Sequence, residues 1–276
     1  MKKVRNILLA ILIFIGLDYG IEHVLFLGIQ EKFGLNQHSQ MLMIGHSHLM
    51  LATDKTKMED ALRIKISKYT REGVNVIDRY YMVKQFLDSE YADSLKLCLY
   101  GVDLFSFTGA GLADNSYVLF YPFMDDSSID KYIKHSASPI DYWSHKLIRT
   151  HRYNDNTLMN AALAGLRHDW GNRKYGVIDV NLYKQKLLNG DERHIEMDLN
   201  MINVFKATIK LLTERGVRVI LVNTPTIDLL NNWIQMSLLR YPNGIKILRV
   251  LNRMWSIGIL IQDILPNMNY FMTKYI

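Results

Sequence analysis

Apolar residues in this chain fall into one long amino-terminal run and several short ones. Lys2, Lys3 and Arg5 precede an uninterrupted apolar stretch, Ile7–Leu17; Asp18, Glu22 and His23 follow, and then a second apolar patch, Val24–Ile29. A positive flank before an apolar run is the mark of a signal sequence or signal anchor. The first run alone is too short to span a bilayer, and counting through Ile29 reaches spanning length with charges inside. The expectation is an uncleaved anchor over residues 1–29, its basic end in the cytoplasm, and an extracytoplasmic domain over residues 30–276. A cleaved signal and a buried first helix of a soluble protein are the alternatives.

The short runs alternate in type. Leu42–Ile44, Val74–Ile77, Leu95–Asp103 and Val217–Val222 read as strands, the last leading into Asn223-Thr224-Pro225. Lys57–Arg63 and Met82–Leu87 read as helical. Asp198–Arg215 has apolar residues at helical spacing and is closed by Gly216. Strands of nearly continuous apolar character, separated by helices, predict an α/β domain with a parallel sheet covered on both faces. Residues 104–175 show no clear period and predict an irregular insertion with short helices. Ligands bind such sheets at the carboxyl ends of strands, where Ser47, Asp103 and Thr224 are expected to converge.

Composition narrows the class. With 276 residues, 49% hydrophobic and 22% charged, the chain can bury one sizeable core. Its net charge is +6 and its basic residues are scattered, as at Lys65, Lys68, Arg71, Lys84 and Arg215, so no nucleic-acid partner is expected. Cys98 is the only cysteine, which excludes an intramolecular disulfide. Its apolar neighbours make it a buried structural thiol.

Candidate chemistry centres on Gly45-His46-Ser47-His48, directly after the first strand. A serine at a strand–helix turn presents its hydroxyl outside the sheet, beside backbone N–H groups that stabilise an oxyanion, and needs a base. Met43–His48 as the serine block, Tyr100–Phe107 with Asp103 as a later block, and the strand before Asn223-Thr224-Pro225 together resemble the SGNH (GDSL-like) hydrolase superfamily. The closest resemblance is to its membrane-anchored, envelope-facing branch. The resemblance covers most of residues 40–276 and implies a flavodoxin-like three-layer fold, Ser47 as nucleophile and the Ser47 N–H as part of the oxyanion hole, with Gly45 in the turn. His46, His48 and Asn223 are supporting candidates.

The chain departs from that family at three points. Asn75–Arg79 stands where a glycine is expected. Asp103 replaces an asparagine, and a carboxylate cannot donate to an oxyanion; it can hold a loop or orient a histidine. The terminal Asp-x-x-His is not found: Asp263-Ile264-Leu265-Pro266 carries proline in place of histidine, and no histidine follows His194. A frameshift near codon 271 would account for this, because a shifted reading of the Phe271–Ile276 codons yields Asp-x-x-His if Tyr275 is encoded by TAC.

The rival chemistry is metal-dependent hydrolysis by His46 and His48, whose rings share one side if the backbone stays extended. The plainer reading gives both histidines packing and hydrogen bonds around the serine turn. Arg149–Tyr153 and Arg167–Trp170 mix cations with aromatic rings and suit sugar or anion contacts, or form plain solvated loops. The expected function is therefore a serine esterase or O-acyltransferase acting on acyl esters of a cell-envelope polysaccharide, without cofactor. The alternative is a non-catalytic accessory protein of polysaccharide assembly.

Overall fold

The structure, a computed structural model, describes residues 2–107, 115–171, 179–189 and 198–224. The expectations on His194, Asp263–Pro266 and the terminal residues lie outside these.

Four parallel strands form one sheet: β1 (Met41–Gly45), β2 (Ile66–Thr70), β3 (Leu97–Gly101) and β4 (Arg218–Val222), in the order β2-β1-β3-β4. Alternate residues of each strand enter opposite layers. Leu42, Ile44, Cys98 and Tyr100 face the larger core, which Val83 and Phe86 of α4 (Val76–Leu87) and Leu212 of α9 (Leu199–Glu214) complete. Met41, Met43, Leu99 and Val222 face a smaller one, closed by Leu49 of α2 (Ser47–Ala52) and Met58 of α3 (Lys55–Leu62). Burial of both faces is why β1 reads Met-Leu-Met-Ile with no polar alternation.

The second strand is a correction. Val74–Ile77 is not a strand. Gly73 turns the chain at φ 76°, and Asn75 caps α4 in a reciprocal capping box with Asp78. Those two bonds satisfy helix N–H groups that a β conformation would leave to a neighbour, and they outweigh the β preference of the local run. The true second strand, Ile66–Thr70, is disguised by polar letters. Ser67 reaches the Gly34 carbonyl (2.5 Å) and Ser39 Oγ (2.8 Å), and Lys68 donates to the carbonyls of Met50 (2.8 Å) and Thr53 (2.7 Å). A paired polar group can be buried at little cost.

Helix α1 (Lys2–Phe33) runs unbroken past residue 29. It is long and apolar enough to cross a membrane. From Asp18 onward one side of it is buried, with Leu25, Ile29 and Phe33 in the larger core. The region beyond β3 holds α5 (Ser127–Ser136), α6 (Pro139–Leu147), α7 (Asn156–Leu166) and short 3-10 turns, including Arg149–Tyr153. An eighth helix, α8 (Val180–Leu188), precedes α9. Helix α7 crosses α1 at two glycines: a Cβ on Gly165 would lie 1.8 Å from the Gly28 carbonyl oxygen.

The cation-rich segments are largely committed within the fold. Arg149 pairs with Glu22 (3.2 Å) and Asp125 (2.8 Å), Arg152 pairs with Asp125 (3.2 Å), and Trp170 Nε1 donates to the Glu31 carbonyl.

Candidate functional site

In a parallel sheet every strand delivers its carboxyl end to one edge. Here β1 delivers His46-Ser47-His48, β3 delivers Asp103 and β4 delivers Asn223. The backbone does not stay extended through the His-x-His segment. The strand ends at Gly45, His46 is the extended N-cap of α2 (φ −90°, ψ −161°), and Ser47 is the first helical residue. Gly45 and Gly101 have a packing reason. A Cβ on either would lie 2.9 or 3.1 Å from the Leu49 Cβ, so the two strand ends must be bare for α2 to seat on the sheet edge.

His46 performs the task usually given to Ser, Thr or Asp at a helix start. Its Nδ1 accepts the His48 backbone N–H at 3.2 Å. A neutral imidazole with an accepting Nδ1 carries its proton on Nε2, and Nε2 donates to Asp103 Oδ2. Burial holds the His46 pKa below its ordinary value, in keeping with this neutral form. His48 approaches the same carboxylate oxygen, with Nδ1 3.2 Å from Asp103 Oδ2 and the two imidazole rings 4.6 Å apart. Nδ1 of His48 is buried and, among the described residues, its approach to Asp103 lacks the geometry of a hydrogen bond, while 40% of the side chain stays exposed.

Asp103 is the hub. Its Oδ1 accepts from the Ser106 N–H (2.9 Å) and Ser106 Oγ (3.0 Å). Burial opposes its charge, but the hydrogen bond from His46, the close approach of the His48 ring and the positive charge of Arg79 hold its carboxyl far below the usual range. Arg79, fully buried in α4, donates to the Gly101 carbonyl (2.8 Å) and Ser106 Oγ (3.4 Å), and stands over the Tyr100 ring. It therefore acts on Asp103 both by its charge and by holding Ser106. Neither Arg79 nor Ser106 was legible as part of the site. One signal existed: a cation in the first turn of a capped helix opposes the helix dipole and needs another reason to be there.

Of the expected site residues, the fold brings His46, His48 and Asp103 into contact, with Ser47 between the two histidines. Asn223 is exposed at the same edge and makes no described bond to the cluster, while Thr224 is buried. Ser47 is half-buried, and among the described residues its hydroxyl has no hydrogen-bond partner. The nearest ligand atoms of His46, His48 and Asp103 lie within 4.8 Å of one another, close enough to invite a metal. The fit is poor at His46. Its inward Nε2 bears the proton, so coordination there would require breaking the cap on α2. Cys98 is buried, and burial pushes its thiol up, as a structural thiol requires.

Comparisons with protein-family models, with curated proteins and with solved structures find no match to this chain.

Proposed function

We propose that this chain is a membrane-anchored, SGNH-like serine esterase or O-acyltransferase acting on acetyl or other acyl esters of cell-envelope polysaccharide, with its domain on the extracytoplasmic side. One observation carries the reading. The sheet order is of the 2-1-3-4 type found in flavodoxin-like folds, whose ligand crevice opens where the order reverses, between β1 and β3. Ser47 follows β1 and Asp103 follows β3 at that position.

Ser47 Oγ attacks the ester carbonyl carbon, and its proton passes to an imidazole. That imidazole is His48: Nδ1 faces the Asp103 carboxylate, which leaves Nε2 as the basic atom. Collapse of the tetrahedral adduct expels the sugar oxygen, which takes the proton from His48, and leaves an acyl-serine. Water or an acceptor hydroxyl then attacks the acyl carbon, and its proton returns by the same route. Asp103 and His46 hold the imidazole and the helix start. Asp103 is not an oxyanion donor.

The test is labelling of the full chain by a fluorophosphonate, followed by release of acetate from an acetylated glycan. Labelling and release lost in Ser47→Ala support the reading. Absence of labelling in the unaltered chain overturns it in favour of the non-catalytic accessory protein.

A further inference from the structure

The outer face of α6 has the wrong polarity for water. Tyr142 and His145 turn inward, while Ile140, Trp143 and Leu147 are 83%, 53% and 73% exposed. At 100° per residue these three fall within about 60° of arc, opposite the buried side, where a surface helix ordinarily places polar residues.

The position of this stripe is set by α1. The residue after Ile148, Arg149, donates its backbone N–H to Asp18 of α1 (2.8 Å); Thr150 adds its N–H (2.9 Å) and hydroxyl (2.7 Å); and the Arg149 guanidinium covers the Tyr19 ring. Leu147 therefore lies two residues from the point where the domain first grips α1. From the last basic residue, Arg5, to that grip there are about 12 residues of helix, or ~18 Å. A hydrocarbon core of about 30 Å needs ~20. The remaining depth must come from beyond Asp18, where Tyr19, Ile21 and Val24 keep an exposed face that is apolar except at the exposed His23. The level of Asp18 thus falls inside the near leaflet, and α6 ends at that level. Asp18 and Glu22 are suited to such a place, because each is already paired with donors or cations of the 149–152 segment.

We propose that α6 beds Ile140, Trp143 and Leu147 into the membrane interface beside α1, so that the domain lies against the bilayer. The inference rests on α1 being a retained anchor. An aromatic ring flanked by aliphatic side chains is the composition such an interfacial face takes.

The experiment uses the full chain in phosphatidylcholine–phosphatidylglycerol vesicles, with an environment-sensitive thiol dye at Trp143→Cys, at Leu147→Cys, at Leu12→Cys within the anchor and at Lys210→Cys on the exposed face of α9. The unaltered chain is the blank, since Cys98 is buried. The expected result is a blue-shifted emission at 143 and 147, quenched more by lipid with a nitroxide near the headgroup than by lipid with one at the chain end. Leu12→Cys shows the reverse depth order, and Lys210→Cys shows no shift. Water-like emission at 143 and 147 with a deep Leu12→Cys probe overturns the inference and leaves the anchor standing. Water-like emission at Leu12→Cys as well overturns both. A blue shift at 143 that no lipid quencher touches overturns it in favour of a protein covering the stripe.

Discussion

His46 and Asp103 are 57 residues apart, yet the imidazole Nε2–H of one donates to the buried carboxylate of the other across the gap between β1 and β3. The same ring, through Nδ1, caps the helix that begins with Ser47. A single side chain thereby ties the serine turn to the end of the neighbouring strand, and the consequences can be measured.

Asp103→Asn should be costly in an almost isosteric way. It removes the negative charge facing buried Arg79 and offers an amide N–H to the protons of His46 or Ser106. Losing one member of a buried charged network costs about 3 kcal/mol. Urea unfolding of the full chain in detergent should show this loss, and fluorophosphonate labelling at Ser47 should fall in parallel. A variant as stable as the parent would contradict the hub role.

Stability should fall on acidification in two stages. Folded His46 resists protonation because of its burial, whereas an unfolded imidazole takes a proton near pH 6.5. Below that pH the unfolded chain binds the extra proton, so stability declines as pH drops toward the folded pKa. Asp103 adds a second decline below about pH 4, where the unfolded carboxyl protonates and the folded one does not. His46→Asn keeps a cap for α2 and should flatten the first stage in pH-resolved chemical denaturation. An unchanged profile would assign that stage to other histidines.

Gly45→Ala should destabilise by about 1–3 kcal/mol through overpacking against Leu49. Gly45→Ala combined with Leu49→Ala should cost less than the sum of the two single changes, since the shortened side chain makes room. An additive double-mutant cycle would show that the glycine serves the backbone instead.

Gly165→Val should separate α7 from α1, because the new Cβ would fall on the backbone of Gly28 and neither helix can yield locally. Limited proteolysis of the vesicle-bound chain should then cut α1 within residues 24–33, where burial of Leu25, Ile29 and Phe33 should protect the parent. Continued protection would mean that the charged contacts at Asp18 and Glu22 suffice to hold the anchor.

His48→Ala should reduce the labelling rate at Ser47 by about 100-fold or more if His48 is the base, the usual scale of general-base catalysis. A rate that survives the change would place the base elsewhere in the chain.

Much of the architecture was written in local patterns. The apolar run of α1, the doubly buried strands β1 and β3, the amphipathic period of α9 and the stop at Gly216 each depend on neighbours a few residues apart, and each is legible in the sequence. Val74–Ile77 was misread because a β-branched tetrapeptide looks like a strand unless the Asn75–Asp78 capping box is weighed against it. Ile66–Thr70 was missed for the opposite reason: Ser67 and Lys68 look exposed until their acceptors on Gly34, Met50 and Thr53 are known. In the candidate site, Ser47 and its flanking histidines announced themselves by their place after a strand, and Asp103 by its place just past the end of another.

Local order along the chain decides which segments become helix or strand and which residues stand at their ends, because propensity, capping and periodicity act over one or two turns. It left open that His46 would spend both nitrogens on structure, that Arg79 would support Asp103 through Ser106, and that α6 would turn Ile140, Trp143 and Leu147 outward beside the anchor. Those outcomes depend on hydrogen-bond geometry and burial between segments far apart in the chain, and only the closing of the sheet between β1 and β3 and the docking of α1 bring those segments within reach of one another.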